Sequence, residues 1–231
     1  MLVGLVGFIG SGKGTAGDIL GELGFIKESF AGSVKDIASV MFGWPRHLLE
    51  GDTDESRAFR EQPDEGWSKK FGRTFTPREA LQKIGTEVGR DIFHQDFWVQ
   101  ALDAKVDFKK HYVITDVRFP NEIDWIHENG GIVIEIQRGE NPEWYGKLKN
   151  LKRQGFEYGF RKQMMNEFDV HESEWAWVGE DIDYTIDNNT TKDALQHCLI
   201  SILTTRFNMR TISTLHYGEL YEVIERVPNN T

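Results

Sequence analysis

Near the start of the chain a run of apolar residues breaks into glycines, LVGLVGFIGSGKGT over residues 2–15. Few local patterns restrict a fold so tightly. Apolar side chains at successive positions suit a strand buried on both faces, which belongs in a parallel sheet whose crossovers are helices. The glycines that follow let main-chain N–H groups turn inward around an anion, and the next helix adds the positive end of its dipole. From Gly7 to Lys13 the spacing is G-x-x-x-x-G-K, in the strand–turn–helix setting that this motif requires. Lys13 is then placed to meet β- and γ-phosphates. Gly14 stands where a hydroxyl residue is usual, and Thr15 follows one step later. The plainer alternative is a glycine-rich turn carrying a surface lysine.

Four more stretches have the composition of buried strands: FIKESF at 25–30, YVIT at 112–115, IVIEI at 132–136 and YTI at 184–186. Helical patterns lie between them, so the expectation is an α/β fold built on a parallel sheet. The sharpest helix begins at TPREALQKIGTEVGRDIF. Thr76 suits the N-cap, Pro77 the first position and Glu79 a capping box, and Ala80, Leu81, Ile84 and Val88 form an apolar stripe. Further helices are expected from Pro120 to Glu128, stopped by Asn-Gly-Gly, and from about Thr191 to Thr205. Two long intervals interrupt the alternation. Residues 43–76 are polar and poor in core residues, and 138–170 are basic and aromatic, as functional loops or lids are. The tail from His216 fits strand, helix or neither.

With 27 basic and 37 acidic residues the formal net charge is −10, which argues against a nucleic-acid polymer as the main partner. A single basic cleft for a small anion is compatible with that balance. The one cysteine, Cys198, falls in an apolar helical pattern and is expected in the core. With no second cysteine there is no disulfide framework, which fits a reducing cytoplasm. The opening apolar run lacks the basic segment of a secretory signal, and no apolar run approaches the roughly 18 residues of a membrane span. A cytoplasmic protein without a membrane partner is the expectation.

A donor cradle needs an acceptor opposite it. In YVITDVRFPNE, 112–122, a strand ends in Asp116, followed by Arg118 and Glu122. An aspartate at the carboxyl end of a parallel strand can hold Mg²⁺ through water, Arg118 can fork onto a phosphate, and Glu122 can accept from a base or sugar. An Asp–Arg pair closing a turn is the alternative. A GTPase reading is weaker: the early DILG at 18–21 lies in the helix after the cradle, and TKDA at 191–194 has the wrong spacing for guanine recognition. HESEW at 171–175 offers His171, Glu172 and Glu174, but three such residues in four helical positions do not face one ion, so a capping or substrate-side role is preferred to a metal site.

The GKGT ending, AGSVKD, LQKIGTE with DFWV, ITDVRFPNE, GGIVIEIQR, HESEW and YTIDNN occur in the order, and at roughly the spacings, of the phage-type deoxynucleoside monophosphate kinases. The chain resembles that family over about residues 3–203. The resemblance implies a P-loop kinase three-layer sandwich on a parallel five-stranded sheet. It implies transfer of the γ-phosphoryl of ATP, with Mg²⁺, to a deoxynucleoside monophosphate, supplying precursors for phage DNA synthesis in a host cytoplasm. On this basis Gly10, Ser11, Gly12, Lys13, Gly14 and Thr15 would hold ATP, with Asp187 and Asn188 on the adenine side. Lys35 and either Arg57 or Arg60 would contact the acceptor phosphate. Arg78, Gln82, Thr86, Trp98, Arg118, Glu122 and Glu174 would complete the acceptor pocket, with Trp98 facing the base. Lys13, Arg118 and Asp116 would carry catalysis, with Thr15 and Asp116 reaching the metal through water. One domain over 1–231 is expected, with 43–110 a helical insertion for the acceptor and 138–177 a lid in which Arg153 and Arg161 could reach phosphate. A homodimer is compatible with all of this. A P-loop kinase of another small metabolite, of the shikimate or dephospho-coenzyme A type, and a non-catalytic nucleotide-binding module are the alternatives.

Overall fold

The computed structural model describes residues 1–216 and 219–226. Five parallel strands form the central sheet: β1 (Leu2–Val6), β2 (Ile26–Glu28), β3 (Tyr112–Ile114), β4 (Ile132–Gln137) and β5 (Tyr184–Asp187), in the order β2-β3-β1-β4-β5. All five strands expected from composition are present and the sheet is parallel as expected, but the edge strands β2 and β5 are largely unburied, because each has a neighbour on one side only. Every residue of β1 is buried, because it pairs with β3 on one side (Leu2 with Tyr112) and β4 on the other (Val6 with Glu135). The chain leaves β1 toward β2 and β3, then crosses to β4 and β5. The carboxyl end of β1 is thus a switch point, where open parallel sheets leave a crevice for ligands.

The chain divides into two compact units, Met1–Glu28 with Asp107–Thr231, and Ser29–Val106. In the first, α1 (Lys13–Glu22) buries Ala16, Ile19 and Leu20 on one face of the sheet, together with Leu195, Leu199 and Leu203 of α11 (Lys192–Phe207). α7 (Pro120–Glu128) packs against β1 and β4 and starts with the expected proline in its first turn. Cys198 is exposed, contrary to expectation, because the buried stripe of α11 takes every fourth residue from Leu195 and leaves Cys198 beside it. The tail is a hairpin of Met209–His216 and Glu219–Arg226.

The interval 138–170 is helical rather than looped. α8 (Glu143–Arg153) buries Trp144, Tyr145 and Leu148, and α9 (Tyr158–Met165) buries Arg161 and Met165.

The second unit contains α2 (Gly32–Phe42), α3 (Asp54–Glu61), α4 (Glu65–Phe71), α5 (Pro77–Gln82) and α6 (Phe97–Asp103). The interval 43–76 also departs from expectation. Thr53 caps α3 and Asp64 caps α4, while Trp44, Leu49 and Phe75 enter a core with Val34, Ala38, Ala80, Ile84 and Trp98. A few large side chains give this polar stretch its interior. Thr76 caps α5 as expected, but Glu79 does not close the box: Arg73 takes its carboxylate through two bonds of 2.7 and 2.8 Å. Beyond Gln82 the helix widens to a π-helix over Lys83–Phe93. The indole N–H of Trp98 donates to Gly85 O at 2.6 Å, and a side chain entering the helical ladder in this way perturbs its winding. The altered winding turns Val88 out to 39% exposure, so the predicted stripe ends at Ile84.

Candidate active site

The cradle connects β1 to α1. Gly7 has φ 141° and Gly12 φ 102°, values that favour glycine, and a Cβ at either would overlap Ile136 O or Asn188 Nδ2 respectively. Asn188 Nδ2 donates to Ser11 O at 2.8 Å, so it braces the loop from the end of β5. Ser11 is itself 2% exposed, and its N–H donates to Phe8 O at 3.2 Å. It shapes the cradle from inside. Gly14 and Thr15 are exposed in the first turn of α1. Nothing lies within 4 Å of a Cβ built at Gly14, so packing does not explain the glycine there.

Lys13 lies back over the loop, donating to Gly7 O at 2.6 Å and Phe8 O at 2.9 Å. Burial, and then the nearby Arg118 guanidinium, push its ammonium down to about 8, against the opposing pull of Glu174 and Asp116. The three residues expected to work together, Lys13, Asp116 and Arg118, are therefore within electrostatic reach of one another, and Glu174 joins them. Arg118 Nη1 donates to Glu174 Oε1 at 2.5 Å and to Ser173 O at 3.2 Å. His171 caps α10 (Glu172–Trp175), its ring accepting from Ser173 N, which is the capping role preferred above. Among the described residues no group of three His, Cys, Asp or Glu could hold a metal ion. Glu122 departs from expectation: it is 2% exposed, and Oε2 accepts from Arg118 N at 2.7 Å and Phe119 N at 3.1 Å. It caps α7 and presents no free face to a sugar or base. Arg161, offered above as a phosphate-reaching residue, is 1% exposed and is tied to Val178 O and Glu180, whereas Arg153 is exposed.

In the second unit, Lys35 Nζ donates to Glu50 Oε2 at 2.6 Å, and Arg46 also donates to Glu50. Burial raises the Glu50 carboxyl, but these two cations outweigh it and hold it below the usual range. Arg60 donates to Glu50 O at 3.2 Å, Arg57 to Asp54 at 2.7 Å, and Arg78 to Glu61. Gln82 is exposed and Thr86 half-buried. Trp98 does not show its ring to a ligand. It is 4% exposed, its N–H is used by Gly85, and its ring covers Gly89, where a Cβ would overlap it.

A family model described as deoxynucleotide monophosphate kinase matches residues 65–148. A protein of Acanthamoeba polyphaga mimivirus named as a deoxynucleotide monophosphate kinase is 37% identical over 155 residues, covering 60% of this chain and 74% of that protein. The chain belongs to the deoxynucleotide monophosphate kinase family. The deoxynucleoside-5′-monophosphate kinase of Escherichia phage T5 is 44% identical over 55 residues, which cover 23% of this chain and 22% of that one. Among solved structures, a dephospho-CoA kinase from Campylobacter jejuni matches at 16% identity and a TM-score of 0.37, over 89% of this chain and 96% of that one.

The residues present fit a nucleoside triphosphate with a hydrated divalent cation. Main-chain donors, a lysine and a helix N-terminus suit phosphates. The Asp116 carboxylate and the Thr15 hydroxyl suit a small hard cation that keeps most of its waters and takes its remaining oxygens from phosphate. Sequence reasoning missed the bracing role of Asn188 and the setting of Phe8, whose ring stands against Trp144, Tyr145 and Trp177. An aromatic residue inside a glycine loop was the available signal.

Proposed function

We propose that the protein transfers the γ-phosphoryl of ATP to a deoxynucleoside 5′-monophosphate. The observation that carries this is the grouping of Lys13, Arg118, Glu174 and Asp116 beside a glycine cradle at the switch point of the sheet. Phosphoryl transfer asks for in-line positioning and charge neutralisation rather than covalent help. The cradle N–H groups and Lys13 take the β- and γ-phosphates; Thr15 and Asp116 would hold a hydrated magnesium ion, which would supply further neutralisation of phosphate charge. Arg118 leaves Glu174 for a phosphate, a stronger bidentate partner, so its charge is offered only when substrate arrives. An acceptor phosphate is ionised near neutral pH and needs no general base.

In the second unit, Lys35, Arg57 or Arg60, and Arg78 serve the acceptor phosphate by the same exchange. Each is held by a carboxylate or a carbonyl in the structure, so phosphate replaces an oxygen already in place. Gln82 and Thr86 take the rest of the acceptor. Among the described residues no helix is long and apolar enough to cross a membrane, and we place the activity in the cytoplasm, in deoxynucleotide supply.

A coupled ADP-release assay over dAMP, dCMP, dGMP, dTMP and their ribose counterparts tests the reading. Turnover with at least one deoxynucleotide is expected. Failure of all of them with ATP and Mg²⁺, alongside turnover of another metabolite such as shikimate or dephospho-coenzyme A, would overturn it.

A further inference from the structure

Glu135 is 1% exposed in the middle of β4, directly opposite Val6, the last residue before the cradle. A buried carboxylate is expensive unless its oxygens are satisfied. Here Oε1 accepts from Tyr145 OH at 2.8 Å and Gln137 Nε2 at 2.8 Å, and Oε2 from Thr185 Oγ1 at 3.3 Å. No cation among the described residues pairs with it directly. Lys149 instead donates to the Tyr145 oxygen at 3.3 Å, completing a relay from α8 into the sheet. Burial, then the hydrogen bond to Glu135, push the Tyr145 phenol up, so it stays protonated and donating. Replacing such a pair by apolar groups of the same shape is often near neutral for stability, so the polar pair invites a role beyond stability.

What the pair fixes is the ring of Tyr145, one wall of a box around Phe8. The other walls are Trp144, with its centroid 5.6 Å from that of Phe8, and Trp177, at 5.2 Å; Tyr145 stands at 5.7 Å. Phe8 is a cradle residue whose carbonyl, with that of Gly7, receives Lys13 Nζ. Trp177 continues the chain of contacts, its indole N–H donating to Glu174 O at 3.2 Å, and Glu174 holds Arg118. One connected set of side chains and main-chain carbonyls therefore spans from the sheet interior to both cationic groups.

We propose that Glu135, Tyr145, Phe8 and Trp177 are positioning residues that hold the phosphate cradle and the Arg118–Glu174 pair in a fixed mutual geometry before nucleotide binds. This rests on the donor-site reading above. The segment that carries Tyr145 and Trp177 then acts as a wall of the donor site, not as a lid that closes over it. Phe8 lies in the cradle loop with its ring against Trp144 and Trp177, so their fluorescence reports nucleotide entering the cradle.

The test uses the full chain with Tyr145→Phe, Glu135→Gln and Phe8→Leu, read by steady-state kinetics, thermal melting and tryptophan emission on adding ATP. Expected is a five- to twentyfold fall in kcat/KM for ATP in each variant, with a smaller change in KM for the deoxynucleotide at saturating ATP. The wild-type emission change on ATP binding shrinks in Phe8→Leu. Kinetics unchanged in folded Tyr145→Phe and Phe8→Leu would overturn the proposal. So would losses shared equally by both substrates that follow the drop in melting temperature. Phe8→Leu sits in a loop and keeps the test available should Glu135→Gln not fold. Wild-type protein that fails to bind ATP at all would instead remove the donor-site reading on which this one stands.

Discussion

Lys13 gives the donor site a pH dependence that can be worked out in advance. Its ammonium titrates near 8 in the free protein, chiefly because it is buried, so it is cationic below that pH and neutral above it. Phosphate oxygens arriving beside it favour the charged form and raise that value again in the complex. ATP binding should therefore take up a proton at alkaline pH. At pH 9 about one Lys13 in ten is charged in the free protein, so ATP affinity is expected to be about tenfold weaker than at pH 7, or about 1.4 kcal/mol. The nucleotide adds little to this slope, since phosphate second ionisations lie near pH 6 and are complete by then. Isothermal titration of ATP at pH 7, 8 and 9, in two buffers of different ionisation enthalpy, gives both the affinity and the proton uptake. Lys13→Met should bind weakly with no alkaline decline. A wild-type affinity that is flat from pH 7 to 9, with no proton taken up, would refute the placement of Lys13 on the phosphates.

The same shift acts on folding. The unfolded chain, with its lysine at 10.5, holds the extra proton between about pH 8 and 10.5, so the empty fold gains about 3 kcal/mol from this group as pH rises through that window, measurable by urea unfolding on wild type and Lys13→Met. Gly12→Ala should cost ATP affinity more than tenfold, because its Cβ overlaps Asn188 and its φ is left-handed; retained affinity by titration would mean the brace can move aside. Glu122→Ala should lower stability by about 2 kcal/mol through loss of two capped N–H groups, and an unchanged urea midpoint would show that the carboxylate is not the cap. Cys198 should react with a thiol reagent in the native state without loss of activity; a need for denaturant would mean that it is buried after all.

The fold was legible where burial leaves a one-dimensional trace. Strands covered on both faces are almost continuous apolar runs, and Thr76 with Pro77 marks a helix start by local chemistry alone. Legibility failed where a side chain has two plausible partners at a distance. The position of Glu79 suits a capping acid, but Arg73 takes its carboxylate, and Trp98, which the resemblance turns to a ligand, fills a core above Gly89. Glu122 is the instructive case. FPNE carries an acid at the third position of a proline-led helix, which is a capping signature, and the capping role outweighs the acceptance from a base or sugar that the same carboxylate allows. The interval 43–76 hid its interior because Trp44, Leu49 and Phe75 are widely spaced among charges. The grouping of Lys13, Asp116 and Arg118 was readable because all three sit at the carboxyl ends of β1 and β3, where a parallel sheet collects its chemistry.

The register of β1 bears on how the chain reaches this structure. Its two neighbours lie far downstream, Leu2 pairing with Tyr112 and Val3 with Ile132. Only α1 packs on the strand locally, its ladder partners being distant, and closing loops of that length is slow. At synthesis rates of about 5–20 residues per second, the first apolar segment waits on the order of ten seconds for its second partner to emerge from the ribosome. The Ser29–Val106 unit, with a core of its own, can condense during that wait. The phosphate cradle, hung from a strand that stays unpaired until β3 and β4 are made, then takes shape after the Ser29–Val106 unit.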